Sequence, residues 1–421
     1  MTSFISLSTF PGFRVRKPLW LLPVVLAVVS GPALRAQART PAATAITADE
    51  QEGIDGDIAQ HFGDAPQNPG PKSRMLALTR PASVRQAMKK VADWELNRSQ
   101  PYFDRTWTWN VLYTGFMAAS RTLNDPRYRD AMEAFAEHHQ WQLRSAVPNA
   151  DDQGLGQTYL ELDMLDPAPD KVMPTRSALD TLAAGANAPI PEDQANIPWW
   201  WCDALFMAPP VWSRMFAVTH DTKYLDYIDK HWHETSDMLY DPQRHLYYRD
   251  QTWLHRTDSH GKPIFWSRGN GWVMGGLART LEYIPAGDPR RGFYENQLRE
   301  MAAAVAQLQN PYTGLWHSSL LEPMEYPQPE VSGSALITFA LAWGVNEGVL
   351  DRKTYLPVIE HAWHGLVKQI YDDGRLGNIQ QTGAGPAHYL PSSSYNYGVG
   401  AFLLAGEQVA ELATSEKRKA R

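Results

Sequence analysis

Four times along this chain an apolar helical stretch, a short polar turn and a second, one-sided helical stretch follow one another. Ala118 to Leu123 runs into Asn124-Asp-Pro-Arg-Tyr128 and then Ala131 to Gln142. Met215 to Val218 runs into His220-Asp-Thr-Lys-Tyr224 and then Leu225 to Met238. Leu277 to Ile284 is followed by Asp288-Pro-Arg-Arg-Gly292 and Gln297 to Leu308, and Thr338 to Glu347 by Leu350-Asp-Arg-Lys-Thr-Tyr355 and Val358 to Tyr371. A helical hairpin cannot bury its apolar face alone, so such units must stack on one another. They can stack as an open solenoid or close into an α/α toroid. Irregular spacing, long tryptophan-rich loops and the strongly apolar first helix of each pair favour closure. Period-two alternation is scarce, so an all-α fold with few strands is expected.

The flanks read differently. Arg14, Arg16 and Lys17 precede an apolar run from Leu19 to Val29, and Ala33-Leu-Arg-Ala36 offers small residues for cleavage. Residues 1–36 are therefore expected to be a secretory signal, too short for a comfortable membrane span, and the mature protein to be periplasmic or secreted from a bacterium, with no stable span left. Residues 37–75 lack periodicity and read as a linker or loosely held arm. The barrel is expected over 76–414, with a charged tail over 415–421. A formal charge of -7 argues against nucleic acid as a partner. The single cysteine, Cys202, rules out an internal disulfide framework. The 13 histidines show no metal-ligand spacing, and the chain carries no nucleophile elbow, P-loop or dinucleotide fingerprint, so neither metal nor cofactor is expected.

Chemistry gathers in a few segments. Pro198-Trp-Trp-Trp-Cys-Asp203 places a lone carboxylate after three indoles. Desolvation there would raise the acid toward the range useful for proton donation; the plainer role is a helix cap. Asn149-Ala-Asp-Asp-Gln-Gly154 supplies Asp151 and Asp152, either of which can oppose Asp203 across a cleft or cap a helix. In Phe265-Trp-Ser-Arg-Gly-Asn-Gly-Trp272, Arg268 lies between Trp266 and Trp272. Its fork can grip a carboxylate or serve a structural ion pair, and Asn270 can bond a hydroxyl or shape the turn. Trp107, Trp109 and Trp201 offer stacking surface, Arg249 a further cation, and Ser332 either a cap or a ligand contact. Of the 16 tryptophans, about half are expected in the core, because aromatic side chains supply large buried area, and the rest along a cleft.

Together with Tyr397-Gly-Val-Gly-Ala-Phe-Leu-Leu-Ala405 and Glu330-Val-Ser-Gly-Ser334, these stretches resemble glycoside hydrolase family 105 from about Ser83 to Leu412. The resemblance implies a six-hairpin (α/α)6 barrel. It also implies a substrate left by a polysaccharide lyase: an acidic oligosaccharide with a 4,5-unsaturated uronic acid at its non-reducing end, of rhamnogalacturonan type or a related one. An aspartic acid protonates C4 of the enol ether, water adds at C5, and the hemiketal opens and expels the neighbouring sugar. The carboxylate-spacing rule of ordinary glycosidases then does not apply. By the resemblance Asp203 is the acid/base, Asp151 is favoured over Asp152 as the second aspartate, and Trp266 and Arg268 meet the uronate. Many members carry a histidine where this chain has Tyr248-Arg249-Asp250. The competing readings are a lyase or an ordinary inverting glycosidase on the same barrel, and a non-catalytic glycan-binding protein.

Overall fold

The structure, a computed structural model, describes residues 62–419, with side chains to residue 413. The signal segment 1–36 and the first part of the arm, 37–61, lie outside the described residues. The fold is all-α, and its helices alternate between an outer and an inner ring. The outer helices are α1 (Pro81–Ser99), α3 (Pro126–His138), α6 (Pro169–Ala183), α9 (Lys223–Leu239), α11 (Arg291–Gln307) and α13 (Arg352–Val367). The inner ones are α2 (Trp107–Leu123), α5 (Leu155–Leu165) with the short α4 (Ala150–Gln153) before it, α8 (Pro209–Thr219) with α7 (Ala204–Met207), α10 (Ser267–Leu281), α12 (Val331–Glu347) and α14 (Asn396–Lys419). Each inner helix packs on the next, and α14 packs on α2, so the ring is closed. Among the described residues strands are confined to two two-residue pairs, β1 (Gly63–Asp64) with β4 (Ser394–Tyr395) and β2 (Tyr240–Asp241) with β3 (Leu246–Tyr247).

The two rings follow from composition. Every residue of α10 is buried, as are Val331–Val345 of α12; α12 is apolar on nearly all sides, whereas α10 buries Arg268, Asn270 and Arg279 with hydrogen-bond partners. In α9 the buried set is Tyr224, Leu225, Ile228, His231, Trp232, Thr235, Ser236 and Leu239, one stripe at helical spacing. The polar turns are capping devices. Asn124, His220 and Gly348 take left-handed φ of 53°, 58° and 78° to end α2, α8 and α12. Asp125 and Asp351 then accept from backbone N–H groups to start α3 and α13. At the closing seam the α2 and α14 backbones nearly touch: a Cβ on Gly115 would lie 2.6 Å from the Cα of Gly400.

Six hairpins are present where four were legible. The pair α5–α6 was obscured by the break at Gly154 and by Pro174 inside α6. The sixth unit joins α14 to α1, the ends of the barrel, which no sequence-adjacent pattern reveals. The described end of the arm is tied down, not loose. β1 extends β4, Asp64 pairs with Arg375, Phe62 packs on Trp109 at 4.6 Å, and Lys72 donates to the Gln369 carbonyl at 2.9 Å. The backbone helix of α14 runs through most of the expected tail, to Lys419.

Strict alternation makes the six inner helices run the same way. Their N-termini meet at one pole, where Trp107 of α2 packs on Trp272 of α10 and Tyr397 of α14. Their C-termini meet at the other, around a hollow of about 940 Å³.

Candidate active site

At the N-terminal pole the Trp201–Asp203 segment runs antiparallel to 249–250, with the Cys202 N–H donating to the Arg249 carbonyl at 2.8 Å. This pairing brings the Arg249 guanidinium to Asp203, Nε to Oδ2 at 3.7 Å, while its Nη1 donates to Asp250 Oδ2 at 2.6 Å. Arg249 also lies over the Trp200 ring, 5.4 Å from its centroid. Asp203 precedes α7, but its side chain makes no cap bond. It instead faces Arg249 and the Cys202 thiol, which donates to it at 3.4 Å.

Asp151 is the acid on which the charge of Asp203 bears. Asn149, not either aspartate, caps α4, its Oδ1 accepting from the Asp152 N–H at 2.9 Å. Asp152 turns toward Arg144, 3.4 Å away and well exposed. Asp151 turns toward Asp203 and Arg249, and its backbone carbonyl is held by the Asn110 side chain at 2.8 Å. Burial pushes Asp151 up to about 7, and the charge of Asp203 adds to the rise. Burial also raises Asp203, against the pull of Arg249 and of the more distant Arg268. Two such acids titrate as a pair, and burial favours the protonated form of each. The pole is thus equipped to give and take a proton, beneath helix N-termini that favour an anion.

Arg268 has a different use from the carboxylate fork. It is fully buried between Trp266 and Tyr397, and its Nη1 and Nη2 donate to the carbonyls of Gln380 and Gln381, each at 2.8 Å. With both terminal nitrogens engaged, it anchors the loop over 380–381. Trp266 joins in, donating from Nε1 to the Gln380 side chain at 3.1 Å. Asn270 is also buried, bonded to both backbone groups of Tyr247 and to the Trp266 carbonyl, so it clamps β3 to α10 instead of meeting a hydroxyl. Ser332 Oγ donates to Glu330 at 2.6 Å; Glu330 is the cap of α12, and neither side chain is exposed.

Eleven of the 15 tryptophans among the described residues are buried, more than half. Trp272 and Trp109 belong to the core, and Trp201 is covered by Trp200. Trp94, Trp107, Trp200 and Trp253 are half-buried. Three partners escaped the sequence: Gln380 and Tyr397, which hold Arg268, and Trp200 beneath Arg249. Trp200 stood near Asp203 and Tyr397 opened a stretch already singled out, but neither pairing was legible.

A closed (α/α)6 barrel with a buried, coupled acid pair at the N-terminal pole defines a glycoside hydrolase of the six-hairpin class. The profile of Glycosyl Hydrolase Family 88 matches residues 78–413, and the chain belongs to that family. It is 39% identical over 349 residues to an "Unsaturated 3S-rhamnoglycuronyl hydrolase" of Formosa agariphila, covering 79% of this chain and 91% of that one. A protein of the same name from Alteromonas sp. (strain LOR) is 33% identical over 75% of this chain and 80% of its own length. Among solved structures, a family 88 hydrolase from Bacteroides vulgatus superposes with a TM-score of 0.73 at 30% identity, over 79% and 99% of the two chains. A structure named as a polysaccharide lyase also reaches 0.73, at 32% identity and 79% and 98% coverage.

Proposed function

We propose that this hydrolase removes a 4,5-unsaturated uronic acid from the non-reducing end of lyase-generated, rhamnose-containing acidic oligosaccharides. The observation that carries the reading is the Asp151–Asp203 pair, raised by burial and held beside Arg249 at a pole of helix N-termini. Asp203 gives its proton to C4 of the enol ether, and water adds its oxygen at C5. The proton released by that water returns to the acid pair. The C5 hemiketal opens to a ketone, and the hemiacetal left at C1 releases the next sugar. Arg249 steadies the carboxylate form of Asp203 between these transfers, filling the place where many relatives carry histidine. The names of the Formosa and Alteromonas relatives support a rhamnoglycuronyl substrate over a rhamnogalacturonyl one. Export remains part of the proposal, supported by the basic, apolar and small-residue order of residues 14–36.

The lyase reading draws support from one named relative. One assay separates the two. A lyase creates the conjugated double bond and this reaction consumes it, so ultraviolet absorbance of unsaturated rhamnoglycuronyl oligosaccharides should fall on adding the protein. Rising absorbance on the intact polysaccharide would overturn the reading. Asp203→Asn should lower turnover by about 10²–10⁴-fold with helical content unchanged; normal turnover in that variant would remove Asp203 from the mechanism.

A further inference from the structure

Beyond the acid pair, one half-buried indole lies between two segments that both lead back to it. Trp253 follows Arg249 and Asp250 in a single turn whose backbone bonds from the Trp253 N–H to the Asp250 carbonyl at 3.0 Å. On its other side the ring meets Gly385, where an added Cβ would lie 2.2 Å from the edge of the indole. Gly385 belongs to the loop that Arg268 anchors: its carbonyl accepts from the Gln380 side chain at 2.8 Å, and the Gln380 carbonyl accepts from Arg268. Trp253 therefore spans the Arg249 segment and the Gln380 loop. Arg256 is exposed and places its guanidinium 4.6 Å from the Trp253 ring centroid. Among the described residues its other contact is a long 3.4 Å bond to Thr252.

A flat apolar ring beside a cation is what a sugar with an anionic substituent requires: the ring meets the C–H face, and the guanidinium meets the charge. We propose that Trp253 and Arg256 form the platform for the second sugar, the one released with the cleaved bond, and select a residue carrying an anionic group. The inference rests on the hydrolase reading above and extends it outward. Sulfate and carboxylate share the required chemistry. Gly385 is the positioning residue, because only a position without a side chain lets the loop lie against the indole edge.

The test compares wild type, Trp253→Ala, Trp253→Phe and Arg256→Gln on four substrates. Three are unsaturated disaccharides whose second sugar bears a sulfate ester, a carboxylate or no charge; the fourth is a methyl unsaturated uronide with no second sugar. Trp253→Ala should lower kcat/KM about tenfold on all three disaccharides and leave the methyl uronide unchanged. Trp253→Phe keeps a ring and should recover most of the loss. Arg256→Gln, at an exposed position that leaves the fold intact, should lower kcat/KM several-fold on charged second sugars only, and the sulfate and carboxylate arms show which anion it prefers. Equal losses on the methyl uronide, or no loss on any disaccharide, would overturn the platform while leaving the hydrolase reading in place. A wild type inactive on all four would overturn that reading and the platform with it.

Discussion

Both poles of the barrel bury carboxylates, and they treat them oppositely. At the C-terminal pole, Glu161 is met by Arg121 at 3.0 Å, Arg214 at 2.8 Å and Arg279 at 2.6 Å, with Glu407 and Glu282 completing the balance. These cations overcome the burial penalty and hold Glu161 well below the usual carboxylate range. At the N-terminal pole, two acids share one nearby cation, Arg249, itself drawn toward Asp250. Burial prevails there, and Asp151 rises to about 7. A hollow of about 940 Å³ lies at the C-terminal pole, yet its charges are matched and its acid is fixed as an anion. Incomplete compensation, not cavity size, marks the pole where a proton can move.

Exchanging acids at the two poles should separate activity from stability. Asp203→Asn, with the loss given above, tests the reactive pole; its melting temperature should not fall. Glu161→Ala should do the reverse. The buried Arg214 and Arg279 and the exposed Arg121 lose their shared anion, and the fold should weaken by about 3–5 kcal/mol in denaturant titration, with kcat per folded molecule nearly preserved. Equal activity losses in both variants would erase the distinction between the poles.

Arg249→Gln should lower kcat/KM by about ten- to a hundredfold. Removing the cation raises the acid pair further, so the alkaline limb of the pH–rate profile should move to higher pH. A limb that stays in place would show that Arg249 does not act on the pair.

Asp151→Asn sharpens the electrostatic contrast. Its folded value lies above the ordinary one, so its contribution to stability is complete below about pH 4 and is lost as pH rises through about 7. The asparagine variant lacks that loss. Above pH 7 it should exceed wild type in stability by about 4 kcal/mol, with the gap narrowing as pH falls and closing only near pH 4. Asp152→Asn should change little, less than about 1 kcal/mol, because its partner Arg144 is exposed.

Much of this was legible beforehand. Apolar first helices, one-sided second helices and Asp- or Asn-bearing turns are local properties, and they specified hairpins that had to stack. Asp203 stood out because three indoles and a thiol precede it in sequence. The use of Arg268 was not legible. A glycine-bracketed arginine between tryptophans suits a ligand fork, and nothing nearby in sequence announces the carbonyls of Gln380 and Gln381, over a hundred positions away. Asn270 was an open choice because its partner Tyr247 lies on β3; Ser332 turned to Glu330, two positions before it, which is the α12 cap.

The sequence by itself determined four of the hairpins, the apolar faces of their helices and the capping turns between them, because helical period and capping act within a few residues. It also placed the acids at helix starts. Only the tertiary structure decided that α14 closes on α2, that Asp151 rather than Asp152 is coupled to Asp203, and which arginine stays near Asp203. Those outcomes depend on burial and on charges brought together from distant segments, and both are set by ring closure, not by the local chain.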